Sequence, residues 1–319
     1  MSLGPGGAGP GGAGPGGAGP GGAPGVPEGY LVCRYCRSVH PPAGPSCPSC
    51  GAALDVRTAV SRSGWLKQPP IRDLARLQIG RSRLQIEGTR VPVADFALVG
   101  EEWIYFSHHV LLWVDPGVRL TNTSLAGAWN RVLAGLPLVM LEARGPGRIA
   151  LSDNHAGDLV ALPLAPGQQV WTREHRFLTA TGNVGYTWEQ TGIWYTTGSG
   201  DDRETHYPLG QFGDRFTAQG TPGLVLLHSP GNTFLRDLAP GESVLIQPGS
   251  LLYRDLSVTA HLHLEYPAGA QQSSWRASFS QRTIWLRLVG PGRIAVTSVF
   301  GHTSSERVTG QSPATTQQW

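Results

Sequence analysis

Two stretches of the chain decide its fold: Gly145-Pro146-Gly147-Arg148-Ile149-Ala150 and Gly290-Pro291-Gly292-Arg293-Ile294-Ala295. Each is a glycine turn leading into an apolar strand, and Thr221-Pro222-Gly223-Leu224-Val225-Leu226 is a third version. About fifty residues before each turn a glycine opens another strand, and ten residues after that glycine comes an apolar pair. These are Gly100 with Val110-Leu111, Gly167 with Phe177-Leu178, and Gly241 with Leu251-Leu252. Such self-similarity indicates one unit copied three times, and we place the copies at 93–160, 161–236 and 237–302.

The body over 93–302 is predicted to be all-β. Short apolar stretches alternate with turn dipeptides, mostly Pro-Gly, which favour type II turns because Pro presets φ and Gly accepts a positive φ. Strict alternation, as in 258–264, is typical of a strand with one buried face. Regular short strands of this kind predict a sandwich or barrel. Residues 126–138 lack the alternation and are expected to hold a short helix or an irregular loop, and 198–205 is expected to be an exposed tip.

Four cysteines predict a metal site. Cys33, Cys36, Cys47 and Cys50 form two C-x-x-C pairs separated by ten residues, which is the spacing of a zinc ribbon. We therefore expect a small zinc ribbon at 27–56, held by one structural Zn²⁺ that supplies the folding free energy so short a module lacks. The alternatives are two disulfides or a redox C-x-x-C site. His40 lies between the pairs and is expected to be a bystander, because four thiolates already complete a tetrahedron.

The remaining segments are low in complexity or rich in charge. Residues 1–26 are mainly Gly-Pro-Gly-Gly-Ala repeats, whose period of five excludes collagen, and we expect a disordered tether. Residues 57–92 form a basic linker, with a net charge of +6 over 57–90 in a chain whose net charge is +3. The tail 303–319 is expected to be disordered, with Trp319 as an alternative docking anchor. With no signal-peptide pattern and no apolar run long enough to span a membrane, the chain is expected to be cytoplasmic.

The body resembles the family named after altered inheritance of mitochondria protein 24. The residues that carry the resemblance are Ala165–Val170, Leu238–Val244 and Gly127 with Leu133–Leu141, which lead into Gly145–Ser152. The family is structurally likened to the tryptophan RNA-binding attenuation protein and has no assigned reaction. The resemblance covers about residues 93–300 and implies a triplicated, shortened double-stranded β-helix that assembles as a homo-oligomer, with a ring of three chains favoured. The tether, the ribbon and the basic linker are departures from the family.

Other chemistry-bearing groups have ordinary structural interpretations. His261, His263 and Glu265 share one strand face, which suggests a cupin-like metal site, but Glu265 follows His263 too closely for that pattern. His108-His109 is expected to be a strand edge. Arg148 and Arg293 follow a Pro-Gly turn in two copies; they suggest either a basic ring for anions or, as we favour, side chains that cover apolar surface. No catalytic triad, phosphate loop or dinucleotide motif is present.

Three functions remain open at this point. The first is a non-catalytic, oligomeric β scaffold whose zinc ribbon contacts another macromolecule, a protein being the expected partner. The second is a nucleic-acid-binding protein that uses the ribbon and the basic linker, with an affinity that falls steeply with salt. The third is the cupin-like metal-dependent enzyme. The first is favoured because repeated units make extended surfaces more readily than a single asymmetric active site.

Overall fold

The computed structural model describes residues 30–41, 46–52, 64–67, 75–122, 140–197, 203–265 and 283–300. The described residues form an all-β structure of antiparallel sheets, which confirms the predicted fold class. The predicted tether at 1–26, the tail at 303–319, residues 126–138 and most of the tip at 198–205 lie outside the described residues.

Short strands lead into the three copies of the repeat. The ribbon contributes β1 (Leu31–Val32) and β2 (Val39–His40). The linker contributes β3 (Leu66–Lys67), β4 (Ala75–Ile79) and β5 (Ser82–Glu87). The first repeat consists of β6 (Val93–Leu98), β7 (Trp103–Ser107), β8 (Leu111–Val114), β9 (Arg119–Asn122), β10 (Met140–Arg144) and β11 (Gly147–Leu151).

The second and third repeats follow the same order. The second consists of β12 (Gly157–Leu164), β13 (Gln169–Arg173), β14 (Phe177–Thr181), β15 (Val184–Gln190), β18 (Phe212–Ala218) and β19 (Gly223–Pro230), with the added hairpin β16 (Tyr195–Thr197) and β17 (Glu204–His206). The third consists of β20 (Thr233–Leu238), β21 (Ser243–Ile246), β22 (Leu251–Asp255), β23 (Thr259–Glu265), β24 (Thr283–Val289) and β25 (Gly292–Thr297). Short 3₁₀ turns, His108–Val110 and Pro248–Ser250, precede β8 and β22.

The three repeats have identical internal pairing. We name the six strands of each repeat a to f in chain order. In every repeat a pairs with f, b with e, c with f, and d with e, all antiparallel. This pattern is what two interleaved ladders of a double-stranded β-helix require. The predicted triplication is therefore present in the strand pairing itself.

Hydrogen bonds at the start of strand f repeat with the fold. The backbone N–H groups of Arg148, Leu224 and Arg293 donate to side chains at the end of strand c, at 2.9, 3.0 and 2.7 Å. The acceptors are Asp115, Thr181 and Asp255 respectively. Three equivalent backbone donors are thus satisfied by three equivalent side chains.

The observed strand register shows that one apolar pair was aligned wrongly between the repeats, by one residue. Leu111-Leu112, rather than Val110-Leu111, is equivalent to Phe177-Leu178 and Leu251-Leu252, since Leu111, Phe177 and Leu251 each pair with the same position of strand f. All three a–b turns have four residues, 99–102, 165–168 and 239–242, and Gly100 lies one position earlier in its turn than Gly167 and Gly241 do in theirs. The backbone C=O groups of Glu102, Gln168 and Glu242 accept equivalent hydrogen bonds, yet Glu102 lies two residues after its glycine and the others lie one.

The predicted turn types are correct in some places and wrong in others. Gly167 and Gly241 have φ of +77°, and the N–H of the next residue donates to the C=O three residues earlier, as a type II turn requires. The turns between e and f in the first and third repeats differ. Pro146 and Pro291 follow cis peptide bonds, so these Pro-Gly pairs are not type II turns.

The predicted linker contributes to the body's sheets. Strands β4 and β5 form a hairpin that extends the first repeat's sheet beside β6, and β3 pairs with β20 of the third repeat. Their apolar residues alternate, with Leu77, Leu84 and Ile86 fully buried. The sheet of the first repeat therefore begins before residue 93, because the period-two pattern of 77–86 packs on the same core.

Consecutive repeats join through one kind of contact. Strand b of the first repeat, β7, pairs with strand c of the second, β14, and strand b of the second, β13, pairs with strand c of the third, β22. The result is a six-stranded sheet across the first junction and a seven-stranded sheet, which includes β3, across the second. The core residues fall into two clusters, a large one built mainly by the first two repeats and a smaller one around the third.

Candidate metal centre

The four cysteines meet beside the β1–β2 hairpin. The Sγ atoms of Cys33 and Cys50 are 3.6 Å apart, and so are those of Cys36 and Cys47. All four Sγ atoms lie within 4.8 Å of one another, all four residues are buried, and none is in a disulfide. The structure thus places every predicted ligand in one group.

This geometry fits a tetrahedral zinc ion. Zn–S bonds of about 2.3 Å give a tetrahedron with S–S edges of about 3.8 Å, close to the 3.6 Å seen for two of the edges. A disulfide would need about 2.05 Å. Four protein thiolates would saturate the ion, and such a site would be of the closed, structural type.

Both C-x-x-C turns present backbone donors to the sulfur atoms. The N–H of Tyr35 lies 3.4 Å from Cys33 Sγ, and the N–H of Ser49 lies 3.4 Å from Cys47 Sγ. The Ser38 hydroxyl is 3.0 Å from Cys36 Sγ and 3.3 Å from Cys47 Sγ. Such N–H and O–H groups stabilise thiolates, which are the metal-binding form of cysteine.

The thiols share protons in the absence of a cation. The pKa of Cys33 is lowered to about 7, chiefly by its hydrogen bond with Cys36, and that of Cys47 is also lowered, chiefly by its hydrogen bond with Cys33. The pKa values of Cys36 and Cys50 are raised, chiefly by their hydrogen bonds with Cys33. Two thiols therefore hold protons for the other two, and a bound divalent cation would allow all four to ionise.

The two turns differ at one equivalent position. The N–H of Arg37 donates to Cys33 O at 2.9 Å, and the N–H of Gly51 donates to Cys47 O at 2.8 Å. Both residues have positive φ, 60° and 69°. Glycine adopts this conformation freely, whereas arginine does so at a cost. The side chain of Arg37 must therefore supply something that glycine cannot.

Arg37 binds the ribbon to the β body. Its guanidinium lies 2.7 Å from Asp255 Oδ2 on β22 and 2.6 Å from Asp237 Oδ1 on β20. The buried Arg293 of β25 holds the same Asp237 by two hydrogen bonds, at 2.6 and 2.8 Å, and donates to the backbone C=O of Tyr35 in the ribbon. We call Arg37, Asp237, Asp255 and Arg293 the latch.

The opposite charges of the latch stabilise one another. Burial alone would raise the pKa of Asp237, but the hydrogen bonds and positive charges of Arg293 and Arg37 outweigh burial and lower it. Burial would likewise lower the pKa of Arg293, yet its hydrogen bond with Asp237 raises it. The cavity at the seam between ribbon and body is only about 30 Å³, room for about one water molecule. The ribbon is therefore seated closely on the body.

Sequence reasoning missed the role of Arg293. Neither the basic ring nor the covering of apolar surface describes it, because its guanidinium is buried and fully engaged in the latch. Arg148, at the equivalent position, is exposed and bound to Asp95 within the first repeat. The sequence contains no local signal for the latch, because Asp237 and Asp255 lie 200 and 218 residues from Arg37.

The other candidate sites do not form ligand groups. Among the described residues, the four cysteines are the one group of three or more His, Cys, Asp or Glu with ligand atoms so close together. Glu265 accepts a hydrogen bond from Trp285 at 2.8 Å, and His261 lies 3.2 Å from the Thr259 hydroxyl. His263 lies opposite Trp285 on β24. These side chains occupy a strand face and pair along or across it.

Four other histidines, His40, His108, His109 and His228, make contacts with nearby groups. His108 and His109 lie in the 3₁₀ turn before β8, with ring centroids 5.6 Å apart, rather than on a strand edge. His40 is buried, and its Nδ1 lies 3.0 Å from Pro41 O. Sequence reasoning also missed Asp153, whose carboxylate lies 2.7 Å from Nδ1 of the buried His228.

A cleft of about 440 Å³ lies between β5, β7 and the turn at Asn183. Its carboxylate Glu102 already accepts hydrogen bonds from the Arg81 N–H, at 2.8 Å, and from the Ser82 hydroxyl. Burial would raise the pKa of Glu102, and these hydrogen bonds lower it. The carboxylate of Glu102 therefore binds the Arg81 and Ser82 donors of the neighbouring hairpin.

Comparison with known proteins agrees with the fold. A model of the family described as Mitochondrial biogenesis AIM24 matches residues 84–299. The X-ray crystal structure of a protein from Streptococcus pyogenes is similar, with 19% sequence identity and a TM-score of 0.51, over 69% of this chain and 94% of that one. No curated protein matches. Within the described part of the chain, no helix has the length and apolarity needed to cross a bilayer.

Proposed function

We propose that this chain, which belongs to the Mitochondrial biogenesis AIM24 family, is a non-catalytic, oligomeric scaffold of the cytoplasm whose zinc ribbon contacts a protein partner. The closed thiolate site has no position for a substrate, which supports a structural role for the ion. The repeated β body would provide the rigid support, and a trimer is the favoured assembly.

The outward face of the ribbon carries this proposal. Tyr30, Val32 and Val39 are each more than 40% exposed at the β1–β2 hairpin. Val32 lies directly opposite Val39, and Tyr30 shares their side because side chains alternate along a strand, whereas Leu31 lies opposite the buried His40. Clustered exposure of large apolar side chains on so small a module is typical of a contact surface. We call Tyr30, Val32 and Val39 the ribbon face.

The latch gives that face a fixed orientation. Arg37 is held by Asp237 and Asp255, and the backbone of Tyr35 is held by Arg293. A ribbon on a loose tether would need no such contacts. Fixing a binding surface before a partner arrives lowers the entropy cost of association.

Nucleic-acid binding is the second candidate, and the ribbon face favours it less. A surface that stacks bases combines aromatic rings with a basic groove, whereas the ribbon face carries one aromatic ring and two aliphatic side chains. A filter-binding assay with RNA and DNA at low and moderate salt separates the two candidates. Retention at low salt that is lost at moderate salt would favour the nucleic-acid function.

The ribbon face is tested by a double variant, Val32→Asp with Val39→Asp, because these two residues lie opposite each other. Intact chain and variant are used as bait in cells with quantitative cross-linking, and Leu264→Asp, an exposed apolar residue on β23, serves as the matched control. We expect the double variant to lose a defined protein partner that the control retains. Bound zinc, measured by mass spectrometry, should stay at one ion per chain in all three proteins.

Two outcomes would contradict this proposal. One is a partner set that is the same for the double variant and the control. The other is a partner captured through the ribbon face that is itself modified or turned over by the chain, which would replace the scaffold by an enzyme.

A further inference from the structure

The third b–c junction of the fold is open. Strand b of the third repeat, β21, pairs with β24 alone, and strand c of the first repeat, β8, pairs with β11 alone, among the described strands. The other two b strands and two c strands are paired on both sides. Within the described strands, one b edge and one c edge are therefore unpaired.

The open edges expose side chains that the closed junctions bury. On β8, Leu112 is 56% exposed and Trp113 is 41% exposed, while their equivalents Leu178, Leu252, Thr179 and Tyr253 are at most 2% exposed. On β21, Leu245 is 41% exposed, while its equivalents Tyr105 and Trp171 are at most 2% exposed. The same positions are core residues wherever a junction forms.

Neither edge strand contains a charged residue or a proline, which commonly block isolated edges. Strand β8 reads Leu-Leu-Trp-Val, and β21 reads Ser-Val-Leu-Ile. The ladder of β8 has a bulge between Leu111 and Trp113. The equivalent strands β14 and β22 have the same bulge and still pair on both sides, so it does not prevent pairing.

We propose that β21 of one copy of this chain pairs with β8 of a second copy. The pairing would be antiparallel, because both internal junctions are. The internal registers are the same, with Ile104 opposite Thr181 in the first and Val170 opposite Asp255 in the second. Applied to the open edges, this register places Val244 opposite Asp115, Leu245 opposite Val114, and Ile246 opposite Trp113.

A second copy is the occupant that these edges fit. The two edges are the complementary halves of a contact that the chain already makes twice, so the side chains on each side match those of a known partner. Joining them unites a three-stranded and a five-stranded sheet into one eight-stranded sheet, in the strand order d-e-b-c-f-a of the two complete sheets. It would bury Leu112, Trp113 and Leu245 together.

The contact is head-to-tail. Each copy offers a b edge at one end and a c edge at the other, so copies join in sequence and close into a ring when the rotation permits. This inference rests on the proposed oligomeric scaffold and names the surface through which it assembles.

The first test measures mass in solution by sedimentation velocity. The intact chain is expected to be larger than one 34.0 kDa chain, and Leu245→Glu or Trp113→Glu alone should abolish the larger assembly. Leu264→Glu, on the outer strand of the same three-stranded sheet, should leave it unchanged. A monomeric intact chain, or edge variants with unchanged mass, would overturn the inference.

A mixture of the two edge variants tests whether the contact between chains is head-to-tail. Leu245→Glu retains a good β8 edge and Trp113→Glu retains a good β21 edge, so together they should form a 1:1 dimer and nothing larger. A symmetric contact of like edges would give no such heterodimer. This readout also guards against misfolding, because a misfolded variant cannot restore assembly.

Cysteine pairs test the register and whether the contact is between chains. Leu245→Cys in one protein and Val114→Cys in another should form a disulfide when mixed, since opposed Cα atoms in a sheet are about 4.5–5.5 Å apart. Leu264→Cys should not cross-link to Val114→Cys. A double variant that cross-links within single chains would overturn the inference. Retention of the ribbon-face partner by edge variants would show that the proposed function stands without it.

Discussion

Replacing Arg293 by methionine should break the latch and destabilise the third repeat. The side chain is 5% exposed. Methionine keeps much of its length but none of its donors, so two hydrogen bonds to Asp237 and one to the Tyr35 backbone are lost. Asp237 is 56% exposed and keeps Arg37 as a partner, so the change leaves no buried carboxylate without a counter-charge. The loss is therefore that of hydrogen bonds to a charged group, about 1.5–3 kcal/mol.

A surface ion pair of the same length is the control. Arg119 and Glu101 are also 2.6 Å apart, but both side chains are mostly exposed, so Arg119→Met should cost at most about 1 kcal/mol. Denaturant titration followed by tryptophan fluorescence gives both free energies of unfolding. Hydrogen exchange of residues 30–52 then reports whether the ribbon has separated from the body. Equal losses for the two variants, or an unchanged ribbon in Arg293→Met, would refute the latch.

Three further results should follow. Chelation of the metal should make all four cysteines reactive toward a thiol reagent while the far-ultraviolet signal of the β body persists, because β1 and β2 belong to none of the body's sheets. Arg37→Gly should be more stable than Arg37→Ala by about 1 kcal/mol, because both lose the ion pairs and only glycine relieves the positive φ; equal stabilities would contradict this reading of the turn. Asp153→Asn should cost about 1–2 kcal/mol at neutral pH. Burial would raise the pKa of Asp153, but the hydrogen bond and charge of His228 lower it below 3.8. The extra stability of the wild-type protein over Asp153→Asn is therefore complete above pH 3.8 and shrinks as the pH falls through the lowered pKa. Acid-unfolding curves of both proteins would measure this difference.

The sequence predicts the features whose cause is local. Pro-Gly turns, alternating strands and the spacing of the four cysteines are each set by residues near one another, and the all-β fold and the thiol cluster agree with them. The one-residue offset was hidden because the alignment treated Gly100, Gly167 and Gly241 as equivalent, whereas Gly100 lies one position earlier in a turn of the same length. It becomes visible only when strand c is seen to pair with strand f.

The latch could not be predicted, because its residues are far apart in the chain. Arg293 reaches a backbone carbonyl 258 residues away. Alone, each of its members has an ordinary surface interpretation. Likewise, Leu77, Leu84 and Ile86 lie in a segment whose arginines suggested a solvated linker, while their alternation is what places β4 and β5 in the sheet.

The connections between strands d and e have a separate consequence. Residues 123–139, 191–211 and 266–282 lie there, whereas every other turn within a repeat is between two and four residues long. All three emerge at equivalent points of the triplicated architecture. The second connection holds a ladder of its own, β16–β17, and a buried leucine, Leu209, while the six strands of its repeat keep the shared pairing. A connection at this point can therefore carry added structure without a change in the pairing of strands a to f.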